Sequence, residues 1–228
     1  MQDIQVLHED NHTVVVFKPS GIPMQPDSSG DISLLDMVRQ SLARRHHKTG
    51  NVFVGMVQRL DRPVSGLVVL GRTSKGASRL SDQIRRHQVQ KRYLALVHGR
   101  VGSPEAECSD FVSSDEKGSR IDPSGKQARL FYRVLWQDEK RSLLEVVLKT
   151  GRKHQIRLQL ASRGHPIVGD LRYGAPEPLA DRSIVLCAWR LAYVHPTRGE
   201  PVALELPDSL LPAAVAQLPW LPAAGEWP

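Results

Sequence analysis

Apolar and polar residues alternate from Val6, turn at Glu9-Asp10-Asn11, and resume in the run Val14-Val15-Val16-Phe17 before a break at Lys18-Pro19-Ser20-Gly21. That is the pattern of a hairpin running into a loop. Leu34, Leu35, Val38 and Leu42 recur at helical spacing and predict a helix over 34–45, with Ser33 or Asp31 placed to cap it. Apolar runs at 52–57 and 67–70 bracket the polar stretch RLDRPVSG, which reads as strand, loop, strand. Residues 74–86 read as a second helix, polar and basic on its outer side, and 91–98 as a strand. From 99 to 125 the apolar signal thins among Gly, Ser, Pro and Asp, so a long connection with room for one short strand is expected. Strands are expected at 128–136 and 143–148, a helix at 153–163, and strands at 184–194 and 202–206. Past Pro207, the prolines at 212, 219, 222 and 228 restrict regular structure to short pieces.

Strands outnumber helices and do not interleave strictly with them, which points to an α+β or mixed-sheet fold rather than a doubly wound parallel sheet. No internal repeat is visible. The chain of 228 residues is long enough for one large domain, and a single domain over 1–228 is expected. No apolar stretch approaches the roughly 20 residues of a membrane-spanning helix, and the N-terminus has no basic-then-apolar leader, so the expected location is cytoplasmic. Cys108 and Cys187 lie far apart and near no second ligand of zinc spacing, which suggests reduced structural thiols. The nine histidines show no HExxH-type spacing, and no metal site is expected.

Charge changes the picture. The formal net charge is +7, but residues 39–92 hold thirteen Lys/Arg against only Asp61 and Asp82, or +11, leaving −4 for the rest. A block of that density points to a polyanion, with a solvated helix face as the alternative. Asp61 lies between Arg59 and Arg62, and a carboxylate among cations stays ionised. It is suited to act as nucleophile or base, or to form a structural ion pair. A second polar insertion is TGRKHQIRLQL, where a helix starting near Lys153 puts Lys153 and Arg157 on one face and offers Ile156, Leu158 and Leu160 for burial. Arg157 is then placed to reach inward to a carboxylate, and Gly151 leaves the backbone ahead of the helix open to a phosphate. An ordinary amphipathic helix fits the same pattern.

In order and approximate spacing, RLDRPVSGLVVL, KRYLALVHG and GRKHQIR with GHPIVGDLRYG resemble the motifs of the RluA family of pseudouridine synthases, and HEDNHTVVVFKPSGIP resembles that family's opening hairpin and Lys-Pro loop. The resemblance runs from about Val6 to Leu206. It implies an α+β fold with a mixed, largely antiparallel central sheet and flanking helices, acting on uridines of structured rRNA or tRNA without a cofactor. By the same resemblance Asp61 matches the catalytic aspartate, Tyr93 the tyrosine that packs on the target uracil, and Arg157 the basic partner of the aspartate. Arg59 matches the arginine pushed into the RNA stack as the base leaves, and Arg62, Arg152, Lys153, His154 and Gln155 are expected to contact RNA. Two positions depart from the family pattern: Gln58 replaces the usual histidine, and Val64 replaces the threonine of Thr-Ser-Gly. The hairpin begins too near the start of the chain for the S4-type domain of many relatives, so target choice is expected to rest on the catalytic domain.

Two other classes of function fit parts of the sequence. A non-catalytic RNA-binding protein of the same fold would keep the basic block and make no pseudouridine. A nuclease would need clustered carboxylates to hold metal ions, which the sequence lacks. A monomer is the simpler expectation for a chain able to bury its own core.

Overall fold

In the computed structural model, which describes residues 4–116 and 118–220, eleven strands join into one sheet. In chain order they are β1 (Val6–Glu9), β2 (Thr13–Lys18), β3 (Gly55–Met56), β4 (Ser65–Gly71), β5 (Gln90–His98), β6 (Glu105–Asp115), β7 (Gly118–Ile121), β8 (Lys126–Gln137), β9 (Arg141–Leu148), β10 (Leu186–Val194) and β11 (Pro201–Glu205). The helices are α1 (Leu34–Arg45), α2 (Ser74–Arg85), α3 (Gln155–Ala161) and α4 (Ala213–Ala216). Across the sheet the order is β1-β2-β4-β10-β5-β9-β8-β6-β7, with β3 on β4 and β11 on β10. Every pairing is antiparallel except β4 with β10.

Both faces are covered, which explains why β2 and β4 read as unbroken apolar runs. Val14, Val16, Val68, Leu70, Tyr93, Ala95, Leu144 and Val146 face one core, closed by Leu34, Val38 and Leu42 of α1 and Ile156 and Leu160 of α3. Val15, Leu67, Val69, Leu94, Leu96, Leu143 and Trp189 face the other, closed by Leu80 of α2 and Val215 of α4. Ser33 caps α1, its hydroxyl accepting from the Asp36 amide. At the parallel seam, Gly66 pairs with Ala188 at φ +127, and a Cβ there would stand 2.3 Å from the Ala188 carbonyl oxygen. Only glycine allows that approach.

Three expectations need correction. The segment 99–125 is not a connection: it carries β6, eleven residues long, and the edge strand β7. Its inward positions are Ala106, Cys108, Asp110 and Val112, small or polar residues that weaken the apolar alternation. Helix α3 is shorter than expected, and six of its residues are buried, so it is not amphipathic. The sheet wraps it: Ile156 and Leu160 meet one core, while Leu158 packs on Val112 and Ala128 of the β6 and β8 strands. Third, the basic block is not one patch. Arg39, Arg45, Arg72, Arg85 and Arg86 pair with acids, and α2 lies on the face opposite α1 and α3. Both cysteines are free and buried, and burial pushes the Cys187 thiol up to about 12. Pro222 and Pro228 lie outside the described residues.

Candidate active site

The loop between β3 and β4 carries Asp61, and Lys18 holds that loop from below. Its ammonium, fully buried, donates to the carbonyls of Pro19 (3.1 Å), Arg62 (3.0 Å) and Val64 (2.7 Å). Ser20 donates to the Pro63 carbonyl, and the Gly21 amide to that of Arg62. The Lys-Pro loop and the aspartate loop therefore form one unit. Burial lowers the Lys18 pKa to about 7, with Asp61 pulling it up and Arg62 pushing it down.

The Asp61 side chain is 27% exposed, and the Arg157 guanidinium donates to its Oδ2 at 3.1 Å. Arg157 is itself buried and anchored by Asp170, 1% exposed, through Nε to Oδ2 (2.7 Å) and Nη2 to Oδ1 (2.8 Å). Burial opposes the charge on Arg157, but the bonds and charges of Asp170 and Asp61 outweigh it and raise its pKa. One guanidinium thus serves two carboxylates: a buried one that fixes it, and a half-open one that it fixes. Among the described residues Asp61 Oδ1 makes no hydrogen bond. With Oδ2 engaged and the side chain partly exposed, Oδ1 keeps its lone pairs uncommitted.

Tyr93, buried on β5, completes the floor. Burial first, then the Asp61 charge and Cys187, push its hydroxyl well above the usual phenol range, so it remains a neutral phenol. The ring of Tyr173, in the 3-10 turn Leu171–Tyr173, lies 5.0 Å from the Arg157 guanidinium carbon. Gly169, at φ +87, permits the turn that brings Asp170 inward; a Cβ there would meet the Ser183 carbonyl at 2.6 Å.

The fold therefore brings Asp61, Tyr93 and Arg157 together from a loop, a central strand and a helix. The residues expected to contact RNA divide. Arg59 is exposed and has no ion pair or hydrogen bond among the described residues. Arg152 and Lys153 are also exposed, although Arg152 Nε donates to the Gln127 carbonyl and Lys153 Nζ to that of Asp115. Arg62 is tied instead to Asp27 and Asp31 and to the Gly21 carbonyl, as a clamp on the Lys-Pro loop. Gln155 is buried, its amide spent on Thr150, Arg152, Arg129 and Gln159, so it faces inward and not toward RNA. His154 lies within the site, with its Nε2 3.7 Å from Asp61 Oδ2. Lys153 precedes α3 rather than sharing a face with Arg157, and Gly151 stands four residues ahead of the helix, which removes the expected phosphate cradle.

Lys18, Asp170 and Tyr173 were not singled out by sequence reasoning. Lys18 ends an apolar strand, and Asp170 is a lone acid between an apolar run and a glycine-framed turn. Charged residues among apolar neighbours are the signal that marks both.

The sequence model for RNA pseudouridylate synthases matches residues 12–162. An RNA pseudouridine synthase of Bacillus subtilis is 31% identical over 211 residues, covering 90% of this chain and 68% of that protein. The tRNA pseudouridine synthase C of Salmonella typhimurium is 31% identical over 245 residues, covering 95% and 90%. The ribosomal large subunit pseudouridine synthase D of Nitrosomonas europaea is 32% identical over 231 residues, covering 95% and 66%. Among solved structures, human RNA pseudouridylate synthase domain containing 4 superposes with a TM-score of 0.76 at 23% identity, over 93% of this chain and 90% of that one, a likeness of fold.

Proposed function

The chain belongs to the RNA pseudouridylate synthase family, and from that premise we propose that it isomerises particular uridines of structured rRNA or tRNA to pseudouridine, with Asp61 as the catalytic aspartate. The observation that carries the assignment of Asp61 is its asymmetry: Oδ2 is held by Arg157, while Oδ1 makes no hydrogen bond among the described residues, and the charge of Asp61 reaches the buried phenol of Tyr93.

Isomerisation breaks the N1–C1′ bond, turns the uracil and joins C5 to C1′; the C5 proton leaves and N1 gains one. There is no net oxidation and no water is consumed, so the protein's tasks are to hold a carboxylate, a ring and a proton path. Arg157 keeps Asp61 ionised and oriented, because an adjacent cation favours the charged carboxylate. Tyr93 offers its ring edge to the uracil. The target base must leave its stack at a cost of roughly a few kcal/mol. Arg59, exposed and uncommitted, is the residue we assign to fill the gap, and Arg152 and Lys153 flank the mouth of the site for the RNA backbone.

We read residues 1–228 as one catalytic domain working as a monomer in the cytoplasm. No helix among the described residues is long and apolar enough to cross a membrane. Two of the relatives named above are, by their names, a ribosomal large subunit and a tRNA pseudouridine synthase, and we take this chain's substrate from the same two classes. The deciding measurement is pseudouridine mapping of cellular RNA with and without the gene, together with tritium release from [5-3H]uridine transcripts. A pseudouridine present with the gene and absent without it supports the reading; RNA binding with no release would make the protein a non-catalytic binder of the same fold.

A further inference from the structure

Among the described residues around Asp61, His154 is the one non-glycine residue whose backbone is in the left-handed region, at φ 54 and ψ 25. A histidine there is disfavoured, so its surroundings must hold it. They do so from three sides. Ser119 Oγ donates to the Lys153 carbonyl just ahead (2.6 Å), the Leu158 amide of α3 donates to the His154 carbonyl (3.0 Å), and Tyr173 bonds the ring itself. The imidazole is 8% exposed, too enclosed to serve as a phosphate contact.

The distances around the ring, and the carboxylate opposite Nε2, favour one set of hydrogen-bond directions. The Ser119 amide on β7 donates to the Tyr173 hydroxyl oxygen at 3.1 Å. The Tyr173 proton then has two acceptors, His154 Nδ1 at 2.8 Å and the Ser119 carbonyl at 3.5 Å, and the nearer is the imidazole. With Nδ1 accepting, the ring proton sits on Nε2, which faces Asp61 Oδ2 at 3.7 Å. Burial lowers the His154 pKa, against the pull of Asp61 and with Arg157, Lys153 and Arg172 adding to the lowering, which keeps the ring neutral and this tautomer available.

We propose that His154, set by Tyr173, is a positioning residue for Asp61: the chain Ser119 N–H, Tyr173 O–H, His154 Nε2–H approaches the oxygen that Arg157 holds, and stops the carboxylate from turning about its Cβ–Cγ bond. Arg157 alone makes one bond to Asp61 and leaves that rotation open. The 3.7 Å separation is longer than a hydrogen bond, so the contact in this geometry is electrostatic, and catalytic contacts of this length commonly tighten when substrate binds. The edge hairpin of β6 and β7 thereby acquires a role in the site. This inference rests on Asp61 being the catalytic carboxylate, and it replaces an RNA contact at His154 with action through Asp61.

The test uses the full chain, His154→Asn, Tyr173→Phe and the double variant. Asparagine tolerates the left-handed backbone, and phenylalanine keeps the ring over Arg157. Single-turnover tritium release from [5-3H]uridine rRNA and tRNA transcripts should fall by roughly ten- to a hundredfold in His154→Asn, as expected of a misplaced reacting group. The RNA Kd should stay within about threefold of wild type, a change of less than one factor of ten in binding. Tyr173→Phe should lose part of the same rate and add nothing in the His154→Asn background. Independently of turnover, 15N spectra of histidine-labelled protein should show the Nε2–H tautomer at His154, with Nε2 shifted by Asp61→Asn and Nδ1 by Tyr173→Phe. An unchanged rate, a loss confined to Kd, a full additive loss in the double variant, or no response of the ring nitrogens overturns the proposal. If His154→Asn does not fold, Tyr173→Phe decides by the same rate, Kd and Nδ1 criteria. Wild-type protein that releases no tritium while the nitrogens respond as expected would sink the enzymatic reading and leave the contact standing.

Discussion

Neighbouring residues of β5 point to two charged clusters on opposite faces of one sheet. Tyr93 faces Asp61, Arg157 and Asp170; Arg92 faces Glu145, which Arg133 also reaches at 2.7 Å and Arg190 approaches at 4.0 Å. On the first face one guanidinium is shared by two carboxylates, and on the second one carboxylate is shared by three guanidiniums. Exposure separates them further, at 27% for the Asp61 side chain and 4% for that of Glu145. A surplus of carboxylate with one oxygen open is a reactive arrangement, whereas a carboxylate enclosed by cations has nothing left to offer a substrate. Their common lesson is that ion-pair chemistry alone does not mark a site; the stoichiometry and the open lone pair do.

The largest effect expected is for Asp61→Asn, which should cut tritium release by on the order of a thousandfold or more while the fold and RNA affinity persist. Near-normal release would remove Asp61 from its role. Next comes the pair Arg157→Ala and Glu145→Gln. The first strips the buried Asp170 of its partner and should cost about 3–5 kcal/mol of stability in denaturant unfolding, with turnover lost even where the protein remains folded. The second should destabilise by about 3 kcal/mol because Arg92 and Arg133 lose the buried carboxylate they share, while Arg190 keeps Glu205, with release per folded molecule unchanged. If Glu145→Gln stops the reaction without destabilising, the two clusters are not divided into active and structural.

Lys18→Met tests the support beneath Asp61. It removes three donated bonds and should cost roughly 2 kcal/mol. Its pH signature carries a definite sign: the folded-state pKa is near 7 and the unfolded value 10.5, so between them the unfolded chain holds a proton that the native state has released. Stability of the wild type should therefore rise relative to Lys18→Met from pH 7 to 10. A flat difference across that range would mean that Lys18 stays charged in place. The smallest effect is assigned to Arg59→Ala, a loss of roughly tenfold on a folded stem-loop and less on an unstructured oligonucleotide, because only the former must be unstacked. Equal losses on the two would make Arg59 a phosphate contact.

Where local pattern is strong, sequence and structure coincide. Helix α1 spans the residues its apolar spacing indicates, and α2 ends one residue sooner than expected. Agreement fails where neighbours decide. The inward side of β6 holds Ala106, Cys108 and Asp110, acceptable only because Gln159 and Arg163 of the α3 region bond Asp110. The residues of α3 gave a helix but not its burial, since what surrounds it comes from β6, β8 and the Asp61 loop. Asp61, Tyr93 and Arg157 were legible as three motifs in order, and their meeting was an implication of resemblance.

What the amino-acid order determined by itself is most of the local elements and the charge surplus, because these depend on neighbours within a few positions, whereas Asp61, Tyr93 and Arg157 were candidates through the family resemblance of three motifs. Only the tertiary structure decided that Arg59 carries no ion pair among the described residues, that the exposed Arg62 is tied to Asp27 and Asp31 while Gln155 faces inward, and that Lys18, Asp170, Tyr173 and His154 gather around Asp61. The reason is physical: a charged side chain's role depends on the nearest opposite charge and on how much water reaches it, and in this site those partners lie far along the chain, as Arg157 does at 96 positions from Asp61.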